Sequence, residues 1–249
     1  MATTAIVGGT GLVGSHIVNT LLSLSTVSHI RFLARREPRD PTTESLMVSN
    51  PGKLSTFISS DPPAEWASHL ESTTPTPEIL FSSLATTKAN AGGLAPQRAL
   101  ELDANLAIAT AAKKAGTKVY VLISATGADK NSIIPYNKMK GEIEESIINL
   151  SFEKTIIVRP GMIAGQREVK RPLEGVITGI GNLAGWINKP LLRDWWSQDA
   201  SEIAKASVNA AMQALKDTDS SKVRYLSAAD IIKLGRTEWE EPASLSSPS

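Results

Sequence analysis

Residues 3–14 read TTAIVGGTGLVG, and the fold turns on how this stretch is parsed. Residues 3–8 form a short apolar run that ends in glycine, as the first central strand of a sheet would. Gly9-Thr10-Gly11-Leu12-Val13-Gly14 then fits G-x-G-x-x-G, and residues 12–24 (LVGSHIVNTLLSL) carry apolar positions at helical spacing. Glycines between a strand and a helix let the backbone turn tightly and approach a pyrophosphate. The helix N-terminus adds unbonded N–H groups and a partial positive charge. The expected ligand is a dinucleotide; the alternative is a glycine-rich turn that only closes helix on sheet.

Working outward, strand and helix patterns alternate. HIRFLAR (29–35) reads as a second strand, EILFSSL (78–84), KVYVLIS (118–124) and KTIIVR (154–159) as further strands. Long helices are expected over 95–115, stopped by Gly116, and over 136–149. Residues 36–76 are rich in Pro, Ser and Thr and offer only a weak strand near Leu54–Ile58. Residues 198–215 read as a helix and 222–227 as a last strand. Alternation of this kind implies parallel strands with right-handed crossovers, hence an α/β, Rossmann-type doubly wound sheet. One domain is expected over 1–240, with a substrate-side elaboration at 160–215 and a disordered tail at 241–249.

Composition narrows the chemistry. The chain has 249 residues, 41% hydrophobic and 20% charged, enough for one sizeable core. Its formal net charge is +1 and it lacks a dense basic run with interleaved aromatics, which argues against nucleic acid as a partner. There are no cysteines, so disulfides, thiol nucleophiles and Cys-ligated zinc are excluded. The histidines, His16, His29 and His69, form no H-E-x-x-H, and no G-x-S-x-G elbow appears; a metal site or a hydrolase is not expected. The most apolar stretch, 175–192, is interrupted by Asn182, Asn188, Lys189 and glycines and does not read as a membrane span. The first acidic residue is Glu37, and the Ser/Thr-rich N-terminus carrying Arg31, Arg35 and Arg36 has the composition of a mitochondrial transit segment. Cleavage there would remove the first strand, so any targeting signal must be retained.

Dinucleotide sites that take NAD place an acid at the end of the second strand, about 20 residues after the glycines. Here Arg35-Arg36 occupies that place, with Glu37 just beyond. Two guanidiniums suit a ribose 2′-phosphate through bidentate, charge-assisted hydrogen bonds, so NADP(H) is the expected cofactor. The competing reading is a solvated surface pair.

The second decisive stretch is ISATGADKNSIIPYNKMKG (123–141). Tyr136 and Lys140 are i and i+4 on the expected helix and share a face. An ammonium beside a phenol favours the phenolate, which lets tyrosine exchange a proton with a substrate hydroxyl or carbonyl. The spacing alone is common. Its place, after a strand ending in small hydroxyl residues and downstream of a nucleotide loop, is what makes it a candidate.

Gly8–Gly14, Ser124 and the Tyr136/Lys140 pair together resemble the short-chain dehydrogenase/reductase superfamily, atypical branch. LATTKANAGG (84–93), YVLISATGADKNS (120–132), MKGEIE (139–144), RPGMIAGQRE (159–168) with Arg171-Pro172, QDASEIAKA (198–206) and KLGRTEW (233–239) are similar to a fungal family of reductase-like proteins of the mitochondrial outer membrane and, more loosely, to the animal Tat-interacting oxidoreductases. The resemblance implies a Rossmann-type fold, NADP(H), a small carbonyl or alcohol substrate, and peripheral contact with the mitochondrial outer membrane. It implies that Tyr136 moves the proton with Lys140 as its partner, and that Lys140 also holds the nicotinamide ribose. Gly8, Thr10, Gly11, Leu12, Val13 and Gly14 would meet the pyrophosphate and Arg35 and Arg36 the 2′-phosphate. Leu84 and Ala85 would run along the adenosine, Ile163 would border the nicotinamide, and Arg171 would add an anion contact, with Arg167 a further candidate.

One position departs from that pattern. Relatives commonly end the fifth strand with two serines, the second supplying the catalytic hydroxyl, and here the second place is Ala125. Side chains alternate along a strand, so Ser124 and Thr126 share a side with Ala125 opposite. Ser124, nearest the usual separation from Tyr136, is the favoured hydroxyl and Thr126 the alternative. Losing one such hydrogen bond would cost roughly 10²–10³ in rate. Trp186, Trp195 and Trp196 suit either a lid or membrane-facing patch or ordinary packing. Asp103 and Asn105 are expected to be plain polar positions on a crossover helix.

Overall fold

A computed structural model of the chain describes residues 1–72, 74–164, 197–217 and 219–240. Arg167, Arg171, the 175–192 stretch, Trp186, Trp195, Trp196 and the tail 241–249 lie outside the described residues.

Strands β1 (Ala2–Val7), β2 (Val27–Ala34), β3 (Leu54–Ile58), β4 (Ile79–Ser82), β5 (Val119–Ile123), β6 (Lys154–Val158) and β9 (Val223–Leu226) form one sheet in the order β3-β2-β1-β4-β5-β6-β9. Every pairing in it is parallel. The short β7 (Met162–Ala164) and β8 (Ser197–Asp199) pair separately, also in parallel. This is the doubly wound Rossmann arrangement, with the chain leaving β1 toward one edge and returning through β4 toward the other.

Helices cover both faces, and that explains the unbroken apolar strands. On one face Ile6, Ile30, Phe32, Phe81, Val121 and Ile156 pack under α1 (Leu12–Ser23) and α8 (Ala200–Lys216). On the other, Ala5, Val7, Leu33, Leu80, Tyr120, Leu122 and Ile157 pack under the helical stretch 94–115 and under α7 (Pro135–Asn149). Neighbouring strand residues therefore alternate between two cores. Each fully buried Leu or Ile contributes roughly 1.5–3 kcal/mol of transfer free energy.

Local chemistry sets the helix ends. The Asp199 carboxylate accepts from Ser201 N at 2.7 Å and caps α8. Gly116 ends α6 (Ala104–Ala115) in the left-handed conformation, φ +100°. The region 36–76, opaque in sequence, contains α2 (Pro41–Ser49), the edge strand β3, a 3₁₀ turn at Pro63–Trp66 and α3 (Ala67–Glu71). The short helices α4 (Lys88–Ala91) and α5 (Leu94–Arg98) follow β4. Between α5 and α6 the helix widens into one π turn, Ala99–Asp103, with Ala104 N bonded to Ala99 O. Beyond β9 the chain closes with α9 (Ala228–Ile232) and a second π turn, Lys233–Thr237.

Candidate active site

All seven strands run the same way, so β1, β4 and β5 deliver their following loops to one edge of the sheet. The break in strand order between β1 and β4 is where a doubly wound sheet leaves a crevice at its C-terminal edge. The loops 8–14, 83–87 and 124–134 all start from that edge.

The glycine loop leaves β1 with Gly8 at φ +76°, a conformation L side chains rarely adopt. A Cβ on Gly8 would stand 2.5 Å from Ser83 C, and one on Gly14 would stand 2.2 Å from Gly8 O. The first turn of α1 therefore lies against the loop itself. Gly11 caps that helix without a side-chain hydrogen bond, and the first turn carries no acidic residue. Its N–H groups and positive end are left for an anion, which is the fit a pyrophosphate requires. Arg35 and Arg36 stand exposed just past the end of β2, and Glu37 beside them accepts from Thr56 Oγ1 at 3.3 Å. Leu84 and Ala85 leave the end of β4 next to the glycine loop, partly buried and exposed respectively. Ile163, on β7, is partly buried against the α1/α8 core.

Of the tyrosines, one suits proton exchange. Tyr120 is wholly buried, and burial pushes its phenol well above the ordinary range. Tyr225 lies on β9 beneath the Arg159 guanidinium, 4.5 Å from its ring centre. Tyr136 opens α7 with 43% of its surface exposed, and the Lys140 ammonium lies 5.8 Å from its ring centre. Lys140 itself is buried. Its Nζ is 2.7 Å from Glu101 Oε2, in the π turn of the neighbouring helix, and Glu101 is completely buried.

At the strand end the ladder continues past β5: Ser124 N donates to Val158 O at 2.8 Å and Thr126 N to Pro160 O at 2.9 Å. Both hydroxyls are engaged. The Ser124 hydroxyl donates to Glu144 Oε1 at 2.5 Å, and Thr126 Oγ1 donates to Arg159 O at 3.0 Å. Glu144, buried on α7, also takes the Arg159 guanidinium, with Nε to Oε1 at 3.0 Å and Nη2 to Oε2. The Glu144 hydrogen bonds raise the Arg159 pKa further, against the cost of its partial burial. Ser124 thus stands in the wall between β5 and α7 with its hydrogen turned inward.

The expectation for Asn105 needs correction. It is buried: Ser82 Oγ donates to its Oδ1, and its Nδ2 donates to Glu101 O at 2.6 Å and Leu84 O at 3.3 Å. Asn105 pins the end of β4 to the π turn, whereas Asp103 is exposed as expected. Sequence reading missed Glu101, Glu144 and Arg159 as well. An acid inside the largely apolar run ALELDANLAIATAA (99–112) was the available signal for Glu101, whereas Glu144, one of three acids in GEIEES (141–146), carried none. Among the described residues no cluster of His, Cys, Asp and Glu could hold a metal ion.

No protein-family model matches the chain. Among solved structures it resembles a UDP-Glc/GlcNAc 4-epimerase from Campylobacter jejuni, with TM-score 0.65 and 14% identity over 94% of this chain and 82% of that one. It also resembles 3-oxoacyl-[acyl-carrier protein] reductase from Brucella melitensis in complex with NAD, with TM-score 0.62 and 17% identity over 93% of this chain and 98% of that one. These likenesses are of fold. Sequence likeness is much closer elsewhere. Protein FMP52, mitochondrial, from Coccidioides immitis (strain RS) is 62% identical over 244 residues, 97% of this chain and 99% of the relative. Protein fmp52-1, mitochondrial, from Aspergillus oryzae is 48% identical over 94% of this chain and 98% of the relative, and fmp-52 of Neurospora crassa is 39% identical over 96% and 97%. On identity of this level over nearly the whole length, the chain belongs to the FMP52 family of fungal proteins.

Proposed function

We propose that the protein is an NADP(H)-dependent oxidoreductase acting on a small carbonyl or alcohol. The observation that carries this reading is the convergence of the uncapped glycine loop and the Tyr136/Lys140 pair on one edge of the same parallel sheet. The dinucleotide would supply or accept the hydride. The backbone of Gly8–Gly14 would hold its pyrophosphate, Arg35 and Arg36 the 2′-phosphate, and Leu84, Ala85 and Ile163 would line its flanks. Arg171 would add the anion contact that the family resemblance implies. Tyr136 gives the proton to the substrate oxygen as the carbonyl is reduced and takes it back in the reverse direction. Lys140 supports Tyr136 electrostatically and offers its remaining N–H groups to the nicotinamide ribose. Ser124 could serve the substrate oxygen only by turning its hydroxyl away from Glu144.

That last point favours a second reading, a cofactor-sensing module that binds NADP(H) and turns over little. Position 125 has no hydroxyl, and those of Ser124 and Thr126 are bonded within the protein. The name carried by the relatives supports a mitochondrial location, and peripheral contact with the outer membrane is the finer form of that proposal. Among the described residues no helix is long and apolar enough to cross a membrane. The deciding experiment is NADPH oxidation over a panel of carbonyl compounds, alongside direct NADPH binding. Turnover that Tyr136→Phe abolishes supports the enzyme; binding without turnover supports the module; no binding ends both.

A further inference from the structure

Glu101 joins two parts of the site that sequence reading treated separately. Its Oε1 accepts from Thr86 N at 3.0 Å and from Gln97 Nε2 at 3.0 Å, while its Oε2 faces Lys140 Nζ at 2.7 Å. Gln97 Nε2 also donates to Thr86 O at 3.3 Å, so the Thr86 backbone is held at both its N–H and its C=O. Gln97, Glu101 and Lys140 are all buried. The contact to Lys140 is charge on charge, with ammonium and carboxylate 2.7 Å apart and both side chains buried. The carboxylate sits in the π turn, whose backbone Asn105 ties to the end of β4 through Glu101 O and Leu84 O. π turns often mark functional sites, because the extra residue re-aims one side chain. A buried carboxylate with one oxygen on each of two elements cannot shift toward one without loosening the other, since an unpaired buried charge is strongly disfavoured.

We propose that Glu101 is a positioning residue that holds Lys140 and the strand-end loop 84–87 as one unit, so that a dinucleotide pressing on the loop sets the place of the lysine. This rests on the reading of Lys140 and of the 84–85 backbone as parts of the cofactor site.

The test does not need a bound cofactor. Amide exchange of Thr86 is measured by NMR in the wild type, Lys140→Met, Glu101→Gln and the double variant, with Val121 in central β5 as the internal reference. Lys140→Met should speed Thr86 exchange by about tenfold or more relative to Val121, and by less than about twofold when Glu101 is already glutamine. In the opposite direction, Gln97→Ala should raise the acylation rate of Lys140 by about fivefold or more while that of exposed Lys222 stays unchanged. This second arm leaves the ion pair intact, and so it decides the matter if Lys140→Met fails to fold. Thr86 unmoved by Lys140→Met, Thr86 and Val121 accelerating together, or Lys140 labelling indifferent to Gln97→Ala would each overturn the proposal. A wild type that binds no NADPH would end the cofactor reading alone, and the exchange and labelling results would still decide whether Glu101 couples the two elements.

Discussion

Ser124 donates its hydroxyl hydrogen to Glu144 at 2.5 Å, and the same carboxylate is held at both oxygens by Arg159. Three residues from β5, α7 and the end of β6 therefore close on one buried charge. Removing the hydroxyl leaves Glu144 one donor short in a buried site. Ser124→Ala is expected to cost about 1–3 kcal/mol of stability. Its turnover per folded molecule should fall by less than about tenfold, far from the 10²–10³ typical of a donor to the reacting oxygen. Chemical denaturation and initial rates on one preparation separate the two. A hundredfold drop in rate at unchanged stability would mean that Ser124 turns to the substrate during the reaction.

Tyr136 is half exposed at the first turn of α7 and has little packing to lose. Tyr136→Phe should leave the fold and NADPH affinity nearly intact and reduce carbonyl turnover by about 10²-fold or more, the loss expected for a general acid. Equal rates in the two proteins would remove Tyr136 from the chemistry.

Arg35 and Arg36 follow β2 on the exposed edge, where their charges contribute little to stability. Arg35→Ala/Arg36→Ala should weaken NADPH binding by about 10–100-fold, the worth of charge-assisted hydrogen bonds to a phosphate, and leave NADH nearly unchanged. Quenching of tryptophan fluorescence by each nucleotide measures both. Equal affinities for NADPH and NADH in the wild type would show that the pair is merely solvated surface.

Gly14 lies where the helix meets the loop, and a Cβ there would fall 2.2 Å from Gly8 O, a backbone atom that no rotamer change can clear. Gly14→Ala should weaken dinucleotide binding by about 10²-fold or more, because the α1 N-terminus would have to move away from the proposed pyrophosphate position. Ordinary NADPH affinity in this variant would place the nucleotide elsewhere.

What could be read in the sequence was local. The β1 run and its glycines lie within a dozen residues, and Tyr136 and Lys140 are one helical turn apart. The strands buried on both faces announce themselves as apolar runs, whereas the edge strand Leu54–Ile58, partly exposed and carrying Ser55 and Thr56, gives only a weak signal. The α2 helix was missed because it is barely amphipathic. Its start was nonetheless marked by Asp40 before Pro41, and that carboxylate accepts from Thr43 N at 3.0 Å and from Asn19 Nδ2 at 2.9 Å. Contacts across the fold left no such trace. Glu101 meets Lys140 from another helix only after the π turn has shifted its phase, and Glu144 meets Ser124 and Arg159 only once β5, β6 and α7 are packed. Hydroxyl-bearing residues at 124 and 126 looked like rival catalysts because sequence shows donors and conceals their acceptors.

A pH response follows from the opposite end of the sheet, near β3. His29 bonds Ser55 Oγ through Nε2 at 2.8 Å, and His69 stacks on Phe57 with ring centres 3.9 Å apart. Burial, and then the nearby Arg31 charge, hold both imidazoles below their ordinary value near 6.5; at His29 a hydrogen bond that the ring donates to the Gly52 backbone opposes this in part. The unfolded chain therefore takes up these protons at a higher pH than the folded one. Stability from this pair is complete above about pH 6.5 and is lost as the pH falls below it toward the depressed folded values, since protons there favour the unfolded state. The wild type should melt at a lower temperature at pH 5.5 than at pH 7.5. His29→Gln/His69→Gln should show a smaller difference between the two, even if its melting temperature is lower at both. Thermal melts monitored by circular dichroism across this range provide the check, and an equal slope in wild type and variant would assign the acid sensitivity to other groups.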